Sequence, residues 1–385
     1  MSNIFKKALS EEKSLFANES ALFPEYLPEQ LPARESQVTE LVSCLKPLLR
    51  GSRATNSLLY GGTGTGKTAV AKHVARELED ASSRVKAVYV NCFEFNSRFA
   101  VLSRIALELG VPIPRKGAST EEAYDSIIRV LPKSEKKILV VLDELDQLLK
   151  GEEGSKLLYD LLRLCEYDVS PIPFIAITND VTLTIGLDAR VRSSLLERQI
   201  EFKPYGPNEL RGILKERASL AFGAGWKNIA TEGALGLCVA YGLKNGGDAR
   251  IAIDALWKAS RIAEESGSGQ VEEKHVRKAF ESRMDHKAKR ALDVLGYKDV
   301  ELLEVVLQAL AKKDKVYSGD LFALYGDKAK EPVAERTFRN YLARLATFNL
   351  ISLQKTQKED AGRTQEIRLT VPREEVAEML KQRRH

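Results

Sequence analysis

The chain has 385 residues, too many for one ordinary hydrophobic core, so two or three domains are expected. Its 44% hydrophobic and 29% charged residues exclude a disordered or fibrous chain, and no apolar run reaches the roughly 18–20 residues of a membrane helix. The net charge of +5 is uneven: residues 286–385 hold 20 Lys+Arg against 15 Asp+Glu while the rest holds 39 of each sign, which points to a polyanion near the C-terminal end. The start, Met1-Ser2-Asn3-Ile4-Phe5-Lys6-Lys7, lacks the apolar region of a signal peptide. Cys44, Cys92, Cys165 and Cys238 form no C-x-x-C pair, so they read as buried free thiols of a cytoplasmic protein.

Residues 1–20 are polar, and 26–35 (YLPEQLPARE) form a proline-pinned extended segment. In many nucleotide-binding ATPases such a segment closes over the base; the other reading is a surface arm that merely packs. A helix at 36–49 follows, with Val38, Leu41, Val42, Leu45 and Leu48 on one face. Asn56–Tyr60 reads as a short buried strand and 69–78 as a helix with apolar residues at helical spacing. Between them, Gly61-Gly62-Thr63-Gly64-Thr65-Gly66-Lys67-Thr68 fits the phosphate loop G-x-x-x-x-G-K-[ST]. Its glycines let successive N–H groups from Gly62 to Ala69 curl around a triphosphate, above the positive end of the next helix. Lys67 supplies a charge to the β/γ oxygens, and Thr68 offers a hydroxyl to Mg²⁺. ATP/ADP and Mg²⁺ are therefore the expected cofactors.

A strand at 87–92, helices near 98–109 and 120–131, and a strand at 138–142 come next. That last strand ends in Asp143-Glu144, placing two carboxylates at the C-terminal edge of a parallel sheet, where ligands bind. Asp143 is expected to hold Mg²⁺ through its water shell, and Glu144 to orient or deprotonate the attacking water. The strand at 173–178 ends in Asn179, which reaches toward the γ-phosphate or that water. The alternation from Ser57 to Phe202 predicts a three-layer α/β domain. Residues 181–187 (VTLTIGL) read as an exposed apolar stretch awaiting a partner or packing under a neighbouring domain.

Beyond Pro204 the pattern becomes helical: 208–222, 231–241 and 249–264 form a small bundle. Asp248 can cap the third helix, with Arg250 projecting from its first turn. The last hundred residues predict helices at 300–311, 318–324 (entered through a serine cap) and 333–348, then strands at 351–353 and 367–369 joined by a polar tip. That is a winged helix. Its third helix turns Phe338, Tyr341, Leu342 and Leu345 inward and Arg336, Arg339, Asn340 and Arg344 outward, while Lys355, Lys358, Arg363 and Thr364 sit on the tip. The basic, Asn-bearing face favours double-stranded DNA over a protein partner.

Together these motifs resemble the archaeal replication-initiator family of AAA+ ATPases, relatives of the eukaryotic origin recognition complex. The resemblance rests on LPARE (31–35), GGTGTGKT (61–68), LVVLDELD (139–146), AITND (176–180), LDARVRSSL (187–195), GGDAR (246–250) and GRTQEIRL (362–369). It implies an ATPase base at 1–205, a helical lid at 206–287 and a winged-helix domain at 288–385. It also implies Asn179 as a first sensor, Arg250 as the lid's sensor arginine, and an insert around Leu183 and Ile185 that presses on the minor groove. The implied partners are origin DNA, the replicative helicase and other initiator protomers, at the nucleoid. Where eukaryotic relatives place an arginine that reaches a neighbour's nucleotide, this chain has Ser194, with Arg190 and Arg192 nearby, so slow hydrolysis is expected. A nucleotide-gated transcription regulator, a clamp-loader-like subunit and a non-hydrolysing scaffold are the alternatives.

Overall fold

A computed structural model of the chain describes residues 14–280 and 294–370 except 115–116, 134–135, 165–171, 312–315, 330, 349 and 359–361, with 373, 376, 377 and 380 beyond. At 152, 181, 183, 185, 355–358 and 362–363 only the backbone is described. The chain divides into two compact units, Met1–Val276 and Arg277–His385.

The first unit is built on five parallel strands: β1 (Ser57–Gly61), β2 (Val85–Asn91), β3 (Lys137–Asp143), β4 (Phe174–Thr178) and β5 (Arg198–Phe202), in the order β2-β3-β4-β1-β5. Alternation along β3 makes the three layers. Leu139 and Val141 face one core, with Leu41 and Leu45 of α1 (Glu35–Leu45) and Val70 and Val74 of α2 (Lys67–Ala81). Ile138, Val140 and Leu142 face the other. There they meet Leu102 and Ile105 of α3 (Arg98–Glu108), Ile127 of α4 (Thr120–Val130) and Leu157 and Leu161 of α5 (Glu152–Arg163). Each such side chain contributes roughly 1.5–3 kcal/mol, so the two faces of the sheet hold the unit. Helix α5 fills a stretch where no element was expected.

Two expectations are corrected. The helix expected at 36–49 gives way to a 3₁₀ turn, Lys46–Arg50, at Pro47, which cannot donate a helical hydrogen bond. Val42 is 43% exposed rather than part of the inner stripe. The stretch 181–187 forms a 3₁₀ turn, Val181–Gly186, in which Thr182 and Gly186 are exposed and Thr184 is buried, as is Leu187 after it. It is followed by α6 (Ala189–Leu195). Helices α7 (Pro207–Phe222), α8 (Glu232–Lys244) and α9 (Ala249–Glu265) complete the first unit's lid, with Thr231 and Asp248 capping the last two.

The second unit holds α10 (Tyr297–Leu310), β6 (Val316–Tyr317), α11 (Ser318–Lys328), α12 (Glu335–Thr347), β7 (Ile351–Lys358) and β8 (Gly362–Leu369), with antiparallel order β6-β8-β7. The expected serine cap is absent: Tyr317 holds that position, and Ser318 Oγ lies 3.2 Å from Thr364 Oγ1. The wing strands are longer than expected, paired from Ile351↔Leu369 to Lys358↔Gly362. Antiparallel pairing continues through polar residues because it is made by the backbone. Lys355, Lys358, Arg363 and Thr364 therefore lie on strands, not on a loop.

Candidate nucleotide site and nucleic-acid face

The phosphate loop leaves β1 and turns into α2 at the C-terminal edge of the sheet. Gly64 (φ 67°) and Gly66 (φ 92°) adopt left-handed backbone, and a Cβ on Gly66 would stand 2.5 Å from the Tyr205 hydroxyl. Glycine is required there on both counts. Thr65, 1% exposed, closes the turn by donating to Gly62 O at 2.8 Å.

Lys67 Nζ donates to Gly61 O (2.8 Å), Gly62 O (2.7 Å) and Asn179 Oδ1 (2.9 Å). Burial holds its pKa below the usual lysine range, opposed chiefly by the nearby Glu144 and Asp143 carboxylates. Thr68 Oγ1 donates to Asp143 Oδ2 at 2.9 Å, and the Tyr89 hydroxyl donates to the same oxygen at 2.5 Å. Glu144 has φ 55°, uncommon for a residue with a side chain. Its N–H is taken by Asp143 Oδ1 at 2.9 Å, and its Oε2 accepts from Asn179 Nδ2 at 2.9 Å. Burial, then the neighbouring Asp143 and Asp146, raises the Glu144 pKa. Strand ends β3 and β4 are thus cross-linked through Glu144 and Asn179, and again through Asp146, which accepts from Thr178 Oγ1 at 3.4 Å.

From the lid, Arg250 lines the same cleft as Lys67, Asp143, Glu144 and Asn179. Its guanidinium is held by Asp248, with Nη2 3.2 Å from Oδ2. Residues 63–69, Asp143, Glu144, Asn179 and Arg250 thus line one cleft, while Gly62 contributes through its carbonyl to Lys67. A cavity of about 450 Å³ runs from Lys67, Asp143 and Asn179 past Arg250 to Trp257 and the segment around Tyr26, within the size range of small-molecule sites. Residues 22–25 line this cavity together with Tyr26, Leu27, Pro28, Leu31, Pro32 and Arg34 of the segment 26–35, which is thus more than a surface arm. It is fastened to the lid. Ala17 and Asn18 N–H groups donate to Ala221 O at 2.8 and 2.9 Å, Trp257 Nε1 donates to Glu19 at 2.8 Å, and Arg217 donates to Ala21 O at 2.9 Å and Tyr26 O at 3.1 Å.

Among the described residues no cluster of three or more His, Cys, Asp or Glu could hold a metal ion. The Thr68–Asp143 oxygen pair suits Mg²⁺ nonetheless, because that ion takes few protein oxygens and completes its shell with water and phosphate.

Sequence reasoning missed four contributors. Arg34 is 4% exposed and donates to Thr65 O at 2.8 Å and Lys203 O at 2.7 Å, with its guanidinium 3.8 Å from the centre of the Tyr205 ring. Tyr89, Asp146 and Tyr205 are the others. Tyr89 sits on the strand beside β3, paired with Val141 two residues before Asp143, a placement that a sheet order would have exposed.

On the second unit, Arg336, Arg339 and Asn340 are exposed along α12, while Phe338, Leu342 and Leu345 are buried. Arg339 Nη2 donates to Glu335 at 2.5 Å. Arg344 is turned to structural use: its Nη1 donates at 2.9 Å to Asp299, whose side chain is 1% exposed. Thr364 packs against Ser318. The side chains of Lys358, Arg363, Leu183 and Ile185 lie outside those described, as does Cys165; Cys44, Cys92 and Cys238 are buried free thiols. Among the described residues no helix is long and apolar enough to cross a membrane.

Loop, carboxylate strand end, polar strand end and helical lid meeting in one cleft is the organisation of an AAA+ ATPase. Residues 50–180 match the AAA domain family, 211–281 the Cdc6 AAA+ ATPase-type lid domain, and 302–379 the CDC6 C-terminal winged helix domain. The chain is 34% identical over 395 residues to ORC1-type DNA replication protein 1 of Sulfurisphaera tokodaii, covering 100% of this chain and 98% of that one. It is also 34% identical to the ORC1-type DNA replication protein of Pyrococcus furiosus, covering 99% and 93%. Among solved structures, the Aeropyrum pernix ORC1 protein in complex with DNA aligns with a TM-score of 0.74 at 31% identity, covering 96% of this chain and 98% of that one. The ADPNP–ADP complexes of the Aeropyrum pernix ORC2 protein align at 0.66 and 25% identity, covering 95% and 98%. The chain belongs to the ORC1-type family of DNA replication proteins, initiators built on an AAA+ ATPase.

Proposed function

We propose that this initiator binds origin DNA through its winged helix and the turn around Leu183 and Ile185, and that ATP against ADP is the switch that governs its work. The observation that carries the reading is the convergence of Lys67, Thr68, Asp143, Glu144 and Asn179 on one cleft of a chain that also bears a winged helix. The labour divides among a base at 1–205, a lid at 206–287 and a DNA-binding domain at 288–385.

Triphosphate enters beneath the N–H groups of residues 62–69, and Lys67 exchanges the Gly61 and Gly62 carbonyls for β/γ oxygens. Because Lys67 is buried, its charge is weakly screened there. Thr68 and Asp143 would hold Mg²⁺, which when bound would neutralise charge on phosphate oxygens. Asn179 holds the Glu144 carboxylate, which orients a water toward the γ-phosphorus and accepts its proton. The raised Glu144 pKa makes it a better base than an ordinary carboxylate. Arg250 senses the γ-phosphate from the lid. With Ser194 in place of a trans-acting arginine, turnover is slow and the bound nucleotide outlasts many encounters. On the DNA, Arg336, Arg339 and Asn340 read base edges in the major groove. Lys358, Arg363 and Thr364 of the wing grip phosphates, and Leu183 and Ile185 press on the minor groove. Recruitment of the replicative helicase, and contact with further initiator protomers on the chromosome in the cytoplasm, belong to the same proposal.

Footprinting of the full chain on its own genome, with ATP and with ADP, tests the reading. Protection at replication origins that changes with the nucleotide is expected. Protection confined to promoters would instead identify a nucleotide-gated transcription regulator.

A further inference from the structure

We infer that Asp248 is a positioning residue that sets how strongly the site separates ATP from ADP, by competing with the γ-phosphate for Arg250. The inference rests on the nucleotide reading above and deepens it.

Asp248 caps α9, its Oδ1 accepting the Arg250 N–H at 2.8 Å. The same carboxylate takes the Arg250 side chain, Nε at 3.4 Å from Oδ1 and Nη2 at 3.2 Å from Oδ2. Its surroundings are lopsided: the Asp248 side chain is 8% exposed and that of Arg250 is 58% exposed. The carboxylate also rests on the phosphate loop. A Cβ on Gly64 would stand 1.8 Å from Oδ1, and the Ala249 N–H donates to Gly64 O at 3.2 Å.

A helix cap needs an acceptor oxygen, and Asn or Ser would supply one as well as Asp. The negative charge is therefore surplus to capping. A buried carboxylate is costly unless paired, and Arg250 is the cation that pairs it. Placed against Gly64, that anion stands beside the loop that receives phosphates, so one guanidinium faces two rival anions. A nucleotide that ends at its β-phosphate leaves Arg250 with Asp248, whereas a γ-phosphate draws it away. The exchange cost is borne by ATP and hardly at all by ADP. Asp248 thus holds down the preference for ATP and ties it to the position of the lid's third helix.

The test is nucleotide titration on the full chain with Mg²⁺, comparing wild type, Asp248→Asn, Arg250→Ala and the double variant, with melting temperatures recorded. Asp248→Asn keeps the cap and loses the charge. It should raise the ATP/ADP affinity ratio by roughly 5-fold or more, the lower end of typical coupling between sites. In the Arg250→Ala background the same substitution should leave the ratio alone, since the rival cation is gone. Should the Asn variant fold poorly, Asp248→Ser replaces it with the same expectation. An unchanged ratio in the folded single variant overturns the inference, as does an equal rise with and without Arg250, which would mean that the carboxylate merely repels phosphate. Wild type that binds neither nucleotide would instead bring down the nucleotide reading itself.

Discussion

Two cations of the nucleotide cleft, Lys67 and Arg34, and the cations on the outer face of α12 are held in opposite ways. Lys67 and Arg34 are 6% and 4% exposed, and each is bonded to several fixed oxygens. On α12, by contrast, Arg336, Arg339 and Asn340 stand in solvent, and the partner of Arg339 is the 57% exposed Glu335. A buried cation is tolerable only with its partners in place, so Lys67 and Arg34 are both paired in the free protein. An exposed one sits in high dielectric, holds its partner weakly and can be re-aimed. The cleft therefore offers a fixed arrangement of charge, whereas the α12 face offers one that can adjust to a partner.

Substitutions should expose that difference, most sharply in the cleft. Glu144→Gln should slow hydrolysis by about 10²–10⁴-fold, the range for loss of a general base, while ATP affinity holds; single-turnover assays beside equilibrium titration decide it. Lys67→Ala removes charge-assisted contacts at about 1.5–3 kcal/mol each and should weaken ATP binding by roughly 100-fold or more. Equal affinity in wild type and this variant would remove the phosphate loop from the site. On α12, Arg339→Ala or Asn340→Ala should cost about 1–3 kcal/mol at particular base pairs only. Arg363→Ala on the wing should weaken binding to every duplex alike and reduce the salt slope by about 0.9. Isotherms at several salt concentrations on origin and random duplexes separate these behaviours; a uniform loss in both would mean that α12 reads no bases. The last effect concerns folding. Arg344→Ala leaves Asp299 buried with one partner fewer and should cost the second unit about 1–3 kcal/mol, read as a lower denaturant midpoint.

The contrast also explains what the sequence disclosed. The phosphate loop was legible because its spacing is contiguous and its backbone demands glycine. Asp143, Glu144 and Asn179 were legible because apolar strands end on them. Tyr89 and Arg34 were not, because each acts through a neighbour far along the chain: Tyr89 across a strand pairing, Arg34 across 31 residues to Thr65 O. Helical periodicity placed Arg344 on the outer face of α12 but could not show that Asp299, 45 residues away, would take it. Strand ends failed for a related reason: β7 and β8 are lengthened by backbone pairing that side-chain polarity does not announce.

The N-terminal strap has a mechanical consequence. It is bonded to the lid as far as Tyr26, while Arg34 is bonded to the base at Thr65. The chain therefore passes between the two twice, once through 27–33 and once through 203–206. Pro28 and Pro32 stiffen the first crossing and Pro204 the second. A lid tied by two crossings is more constrained than one tied by a single linker, and the Asp248 contact on Gly64 adds a further tie. Cutting the chain between residues 27 and 33 would remove one of the two crossings while leaving Arg34 bonded to Thr65 O.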